Sequence, residues 1–440
     1  MEIISRMATA VESLLGTWAD EVAEQTNVVQ RQRKFSPRSL ASTFVLGFLH
    51  KPRASDEDLA HTAALVGVSV STQAIEQRYH ERMVEFMRGL FDKAVQAHVP
   101  ADRVLAPLLD RFSDVQIMDS TVVSLPMAMA DEFPGCGGSH GGTAAMKLQL
   151  RLSLKHGCLD ALSVEPGRDC DQKTPLQDDI PQPQSLRITD LGYFDTTVFE
   201  RFAEAKAYWL SPLTAAATVY DMDGNRLKLL TWLDQQKKSV VDCEVLVTAN
   251  RLQCRLIAWR LPPEIAERRR EKCLQRAKKK GRKVSTERLA RCEWATLVTN
   301  LPAAQLSIDE VRVLYKARWQ IELLFKRWKS QGCVAEMTDG SLIRCMVKLW
   351  SRLLAAVVQQ WLQTGIWGRP EISLKKTWDM ICKAATSLAM FWNQPEQLRE
   401  ALTAMLRMAE AATRQKRRKK PSTFELLNEP TKLPYAVSLT

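Results

Sequence analysis

Residues 307–332 read SIDEVRVLYKARWQIELLFKRWKSQG. Ser307 followed by Glu310 is a helix-start signal, Gly332 is a stop, and no proline intervenes, so the stretch predicts one helix. At about 100° per residue, Leu314, Ala317, Ile321, Leu324 and Trp328 fall in one apolar stripe. Tyr315, Arg318, Glu322, Lys326 and Lys329 form a second stripe beside it. One carboxylate is thus set among cations and a phenol at the border of a face that must be buried. An amphipathic helix with a salt-bridged edge has the same pattern, so the meaning of Glu322 depends on what precedes it.

What precedes it reads as sheet. Glu293–Asn300, EWATLVTN, predicts a strand leading through Leu301-Pro302 into the helix. Before it, residues 214–300 have a mainly β pattern. Thr218–Asp221 and Arg226–Thr231 flank a Met222-Asp223-Gly224-Asn225 turn, and Asp242–Thr248 and Gln253–Trp259 flank Ala249-Asn250-Arg251. Within this segment, residues 262–282 carry Arg268-Arg269-Arg270 and Lys278-Lys279-Lys280, a run that suits a solvated helix face or phosphate contact.

The pattern over residues 113–213 is α/β. Val115–Met118 predicts a short strand ending at Asp119-Ser120-Thr121. GCGGSHGG at 135–142 lacks the Lys-Ser/Thr of a P-loop and predicts a flexible hairpin connection. Lys147–Leu154 alternates strictly, as a strand with one wet face does, and Leu159–Val164 is its expected hairpin partner. Ser185–Thr189 predicts a strand closing on Asp190 and followed by Leu191-Gly192-Tyr193-Phe194. A helix over Thr196–Ala207 and a buried strand over Tyr208–Leu213 complete the order of a mixed sheet. The helix within 301–334 then carries Glu322.

Both flanks read as helical. In residues 1–112, Asp58–Arg82 has the spacing of a helix-turn-helix. Its turn falls at Gly67-Val68-Ser69, a second helix opens at Ser71 or Thr72, and Gln73, Gln77 and Arg78 could reach bases or phosphates. A plain helical hairpin fits the same string. Residues 335–440 carry Trp350, Trp361, Trp367, Trp378 and Trp392, then RQKRRKK at 414–420, and suit dimerisation; a polar tail, expected to be mobile, follows Pro421.

A formal net charge of +12 favours a polyanionic partner, nucleic acid before membrane. There is no run of 18 apolar residues and no signal-peptide pattern, so the expectation is a soluble, cytoplasmic protein with no membrane partner. The ten cysteines form no CxxC pair, which argues against structural zinc and a disulfide framework.

Three carboxylates stand out by position: Asp119 and Asp190 at strand ends, and Glu322 on the helix after the sheet. Ligands of open α/β sheets sit beyond strand ends. Three acids meeting there would repel unless a cation joined them. Carboxylate oxygens suit Mg²⁺ or Mn²⁺, and two such ions suit in-line attack at a phosphodiester. Arg318 and Lys329 would hold phosphates. Spacing alone leaves this open, because any chain of this length has acids at strand ends.

Tyr315-x2-Arg318-x3-Glu322-x6-Lys329 matches, residue for residue, the YREK signature of DDE insertion-sequence transposases of the IS-four family. Asp119-Ser120-Thr121 and Asp190-Leu191-Gly192-Tyr193-Phe194 resemble that family's two aspartate boxes, in the family's order and with its long gap before the glutamate; Ser120 stands where many relatives have glycine. The resemblance runs from Val115 to Gly332. It implies an α/β fold, a ribonuclease-H-like mixed sheet interrupted by an all-β insertion and flanked by helical N- and C-terminal regions. Residues 1–112 would bind DNA ends. The core would occupy 113–213 and 301–334, the insertion 214–300, and a dimerising region 335–440. It implies Mg²⁺ dependence, with Mn²⁺ as substitute, and Asp119, Asp190 and Glu322 as catalytic residues and metal ligands. Tyr315, Arg318, Lys329 and Trp294 would contact DNA, Trp294 standing where such enzymes carry an indole that stacks a flipped base. The implied partners are double-stranded DNA, as terminal inverted repeats and target, and a second copy of the chain in a synaptic complex. The implied activity is metal-dependent strand cleavage and strand transfer, often through a DNA hairpin. A transposase-derived DNA-binding protein that no longer cuts, and a ribonuclease-H-like nuclease, are the alternatives.

Overall fold

A computed structural model describes residues 2–31, 34–102, 104, 106–137, 143–279, 281–336, 341–414 and 420–434. The chain forms two compact units: residues 1–105, 120–169 and 321–419 make the first, and 106–119, 170–320 and 420–440 the second. Among the described residues ten strands occur: β1 Val115–Leu125, β2 Ala144–Ser153, β3 Leu159–Pro166, β4 Leu186–Thr189, β5 Tyr208–Pro212, β6 Val219–Tyr220, β7 Arg226–Leu227, β8 Val240–Val247, β9 Leu252–Arg260 and β10 Trp294–Thr299.

The first unit is mostly helical, and helices from both ends of the chain build it. Glu81–Gln96 packs on Leu342–Gln363, Pro37–His50 on Leu374–Phe391, and Glu2–Leu15 on Pro395–Ala412. Leu342–Gln363 is buried along most of its length, its polar Ser351, Arg352, Gln359 and Gln360 included; Phe91 lies against its Trp350, ring centroids 5.3 Å apart. The expected second helix of a helix-turn-helix is only the five residues Thr72–Glu76. It is too short to lie along a groove, so a short helical turn replaces it. Gly67, at φ +95°, makes the bend before it, a conformation that disfavours any side chain.

β2 and β3 belong to this unit and pair antiparallel, Gln149 facing Ser163. The expected wet face of β2 is absent, for all its residues are buried. Alternation there reflects charged side chains that are buried and paired: Lys147 donates to the Asp169 carbonyl and Arg151 to Asp160. The glycine-rich stretch at 138–142 lies outside the described residues.

In the second unit β1, β4 and β5 run parallel in that order. β10 then pairs antiparallel with β5, β9 with β10, and β8 with β9, so the insertion's strands extend the sheet that carries β1. The strand order over the first five strands is β3-β2-β1-β4-β5, a mixed arrangement. The insertion is not all-β. Arg226–Thr231 gives only the two-residue β7, because Leu229–Gln235 forms a helix, and the basic run forms the helix Pro263–Lys279. Phe199 stacks on Trp209 with centroids 4.0 Å apart, fixing the helix Thr196–Glu204 to β5.

Residues 422–434, expected to be mobile, instead form a short helix and a further turn, while 435–440 lie outside the described residues. Thr423–Asn428 buries Phe424, Leu426 and Leu427 and packs on the helix Ile308–Ala317, with Gln320 donating to Thr423 at 2.6 Å. Of the basic run at 414–420, residues 415–419 lie outside the described residues. Among the described residues, no helix is long and apolar enough to cross a membrane.

Candidate active site

The site starts from a register. β1 and β4 pair with Val115 facing Leu186 and Met118 facing Thr189. Asp119 and Asp190 are the next residue on each strand. In-register positions of parallel strands project to the same face, with the strands about 4.8 Å apart. Asp119 does not end its strand, since β1 runs on to Leu125; what ends there is the pairing with β4. A Cβ at Gly192, in the turn after Asp190, would stand 2.9 Å from an Asp171 carboxylate oxygen, so Asp171 lies close against this turn. Asp171 is thus an acid beside the second aspartate box that no sequence signal marked. Under the pair, Arg187 joins Asp179 at 2.8 Å and Gln116 at 3.2 Å, holding β4 to β1.

The helix expected over 307–332 arrives in two pieces. Ile308–Ala317 starts with the expected capping box of Ser307 and Glu310. The ladder shifts at Arg318, whose N–H bonds the Tyr315 carbonyl three residues back, and Trp319–Ser330 follows. The apolar stripe is buried as expected, each of Leu314, Ala317, Ile321, Leu324 and Trp328 being at most 1% exposed. The second stripe opens outward to the exposed Lys326 but is buried at its start, Tyr315 being 2% and Arg318 5% exposed.

Both reach the aspartates. Arg318 donates to the Asp119 carboxylate, and its guanidinium lies 5.8 Å from the Tyr315 ring centroid. The Tyr315 hydroxyl is buried without a hydrogen-bond partner. Burial pushes its pKa up; Arg318 works against this, and the charges of Asp190 and Asp119 add to it. A buried orphan hydroxyl costs about 1–3 kcal/mol, so this position favours a polar ligand.

The boundary between the units falls between Gln320 and Ile321, so Glu322 and Lys329 belong to the first unit. Glu322 is half-buried one turn after Arg318. Lys329 donates to the Val122 carbonyl at 2.7 Å, and burial lowers its pKa. Arg327, between them, is 8% exposed with its Nε unpartnered, and burial lowers its pKa to about 10. Trp294 opens β10 in the second unit. Its ring is 4% exposed among Leu233, Val241 and Ala258, and the half-exposed Arg260 guanidinium lies 5.2 Å from its centroid. All ten cysteines are free thiols.

Among the described residues, no group of three or more His, Cys, Asp or Glu side chains is placed to hold a metal ion. The donor set nevertheless fits a hard divalent cation in part. Two carboxylates follow matched strand positions beside an orphan hydroxyl, and a guanidinium supplies the positive charge that Asp119 requires.

The family described as "Transposase DDE domain" matches residues 110–357. The transposase for insertion sequence element IS231F of Bacillus thuringiensis subsp. israelensis is 26% identical over 360 residues, covering 76% of this chain and 75% of that relative. The transposase for IS1151 of Clostridium perfringens is 24% identical, covering 65% of each chain. A cryo-EM structure of the piggyBac transposase synaptic complex with hairpin DNA aligns with a TM-score of 0.45 at 10% identity, covering 92% of this chain and 84% of that one.

Proposed function

We infer from the transposase DDE-domain family, to which this chain belongs, that it is an insertion-sequence transposase that binds the terminal inverted repeats of its element and cuts and joins DNA there. The observation that carries the reading is Arg318 of the YREK signature seated on Asp119 of the first aspartate box, beside Asp190 of the second. That contact between two motifs far apart in sequence supports the reading.

Family membership brings divalent-metal dependence, and Mg²⁺ is the proposed ion, held by Asp119, Asp190 and Glu322. The YREK spacing supports adding Glu322 to the pair. The bound cation supplies Lewis-acid activation of the attacking water or 3′-hydroxyl and stabilises the leaving oxygen. The chain's own residues do the rest. Asp119 would help hold the metal, and Arg318, now on Asp119, would be placed to bind a DNA phosphate. Lys329 holds a second phosphate, and the Tyr315 hydroxyl donates to the bound strand. A base replaces the Arg260 guanidinium on the face of Trp294, substituting stacking worth about 1–3 kcal/mol for the cation–π contact. Two copies of the chain act together on paired ends in the cytoplasm.

The test is cleavage of a supercoiled plasmid carrying the element's two ends. Nicking at matched ends with Mg²⁺, and none at scrambled ends, is the expected result. Nicking without end preference would favour a ribonuclease-H-like nuclease, and binding without nicking would favour a transposase-derived binder.

A further inference from the structure

We propose that a basic cleft in the helical unit, lined by Arg31, Arg78 and Arg82, grips the sugar–phosphate backbone of duplex DNA. This rests on the reading of the chain as a transposase and adds a specific anchoring site remote in sequence from the YREK signature. The cleft encloses about 720 Å³, with Gln30, Gln77 and His80 also in its lining.

Its positive charge has little to answer it. Glu81 is the carboxylate in the lining. The acids nearby are engaged elsewhere: Asp56 accepts from Tyr79 at 2.7 Å and pairs with Arg344, and Glu76 lies 3.6 Å from Arg344. The Nε of Arg78 is buried without a partner, while its guanidinium carbon sits 6.0 Å from the Phe35 ring centroid. The N-terminus of the 16-residue helix Glu81–Gln96 opens at the same place. There the His80 ring accepts the Met83 N–H at 3.2 Å, and the helix dipole adds positive potential. His80 senses that field: burial, then Arg78 and Arg82, hold its pKa below the ordinary value.

The lining selects backbone over base. Tyr79 is the aromatic residue in it, and its ring is already met by Arg344 at 4.6 Å and edge-on by Phe44 at 6.1 Å. With the Tyr79 ring so engaged, the lining offers a ligand mainly cationic and polar groups. Guanidinium groups suit phosphate oxygens, and phosphate contacts carry no sequence information.

The experiment measures binding of the full-length chain to a fluorescent duplex bearing the element's end, in EDTA so that no cutting occurs, between about 0.05 and 0.2 M salt. Arg31 and Arg82 are exposed, so the Arg31→Ala/Arg82→Ala double variant should fold, which circular dichroism melting checks. The expected result is affinity lower by about three- to tenfold per arginine and a salt slope reduced by about one for each, equally on cognate and scrambled duplexes. Wild-type affinity and slope in the folded double variant would overturn the cleft while leaving the transposase reading intact. Failure of the wild-type chain to bind or nick end DNA would overturn both.

Discussion

Asp119 and Asp190 are the residues immediately after Met118 and Thr189, the last matched pair of two neighbouring parallel strands. Two carboxylates one strand apart repel strongly when partly buried. Arg318 answers that repulsion by donating to Asp119. The pair is thus two carboxylates with a guanidinium bound to one of them.

Arg318→Ala therefore should destabilise the chain in EDTA by about 3 kcal/mol, the scale for removing one partner of a buried pair. Mg²⁺ should recover more stability in this variant than in the wild type, since a cation then has no internal competitor. Thermal melting with and without Mg²⁺ checks this; identical Mg²⁺ shifts in the two proteins would show that Arg318 does not guard the metal position.

Asp190→Asn removes one of two repelling charges and keeps the shape. It is expected to raise the denaturant midpoint in EDTA while abolishing end cleavage. Unchanged or lowered stability together with retained nicking would place Asp190 outside the catalytic set.

Arg327 is a buried guanidinium with an unpartnered Nε, its pKa pulled down to about 10 by burial. Replacing a buried charge with an apolar side chain of similar length often stabilises by about 1–4 kcal/mol. Arg327→Met is expected to raise the unfolding free energy within that range. If urea titration shows it falling instead, the guanidinium has a bonding role.

Asp58 closes the capping box of the helix Asp56–Leu65. Burial alone would raise its pKa, but hydrogen bonds from Lys51 and Ser55 bring it from 3.8 down to about 2. A depressed carboxylate contributes stability that is complete above its unfolded pKa and lost as pH falls through the folded one. The wild type should exceed Asp58→Asn in urea midpoint at pH 5, and the difference should shrink steadily between about pH 4 and 2. A constant difference across that window would show that the capping bond does not depend on charge.

Trp294 separates two roles. Trp294→Ala is expected to cost about 3–5 kcal/mol, as removal of a buried indole does. Trp294→Phe keeps an aromatic face and should retain hairpin formation in part. Arg260→Ala uncovers that face and should leave hairpin yield equal or higher. A fall in yield with Arg260→Ala, at wild-type stability, would argue against base exchange on this ring.

The active-site elements were legible because their signals are local. The capping box, the buried stripe and the strands before Asp119 and Asp190 each follow from a few neighbouring residues. What failed depended on distant partners. The alternation in Lys147–Leu154 looks half-solvated, yet Lys147 and Arg151 are buried because Asp169 and Asp160 meet them. The break at Arg318 has no proline or glycine to mark it. Leu229–Gln235 turned helical in a stretch of β pattern, and the segment after Pro421 found a surface on Ile308–Ala317 that no local pattern announces.

The most direct measurement puts Fe²⁺ in place of Mg²⁺ on the DNA-bound protein and generates hydroxyl radicals with ascorbate and peroxide, so that the polypeptide is cut wherever it approaches the ion. Cuts clustered near residues 119, 190 and 322, and suppressed together by excess Mg²⁺, are expected if the three acids share one cation site. Cuts near 119 and 190 with none near 322, or a pattern that Mg²⁺ leaves unchanged, would contradict it.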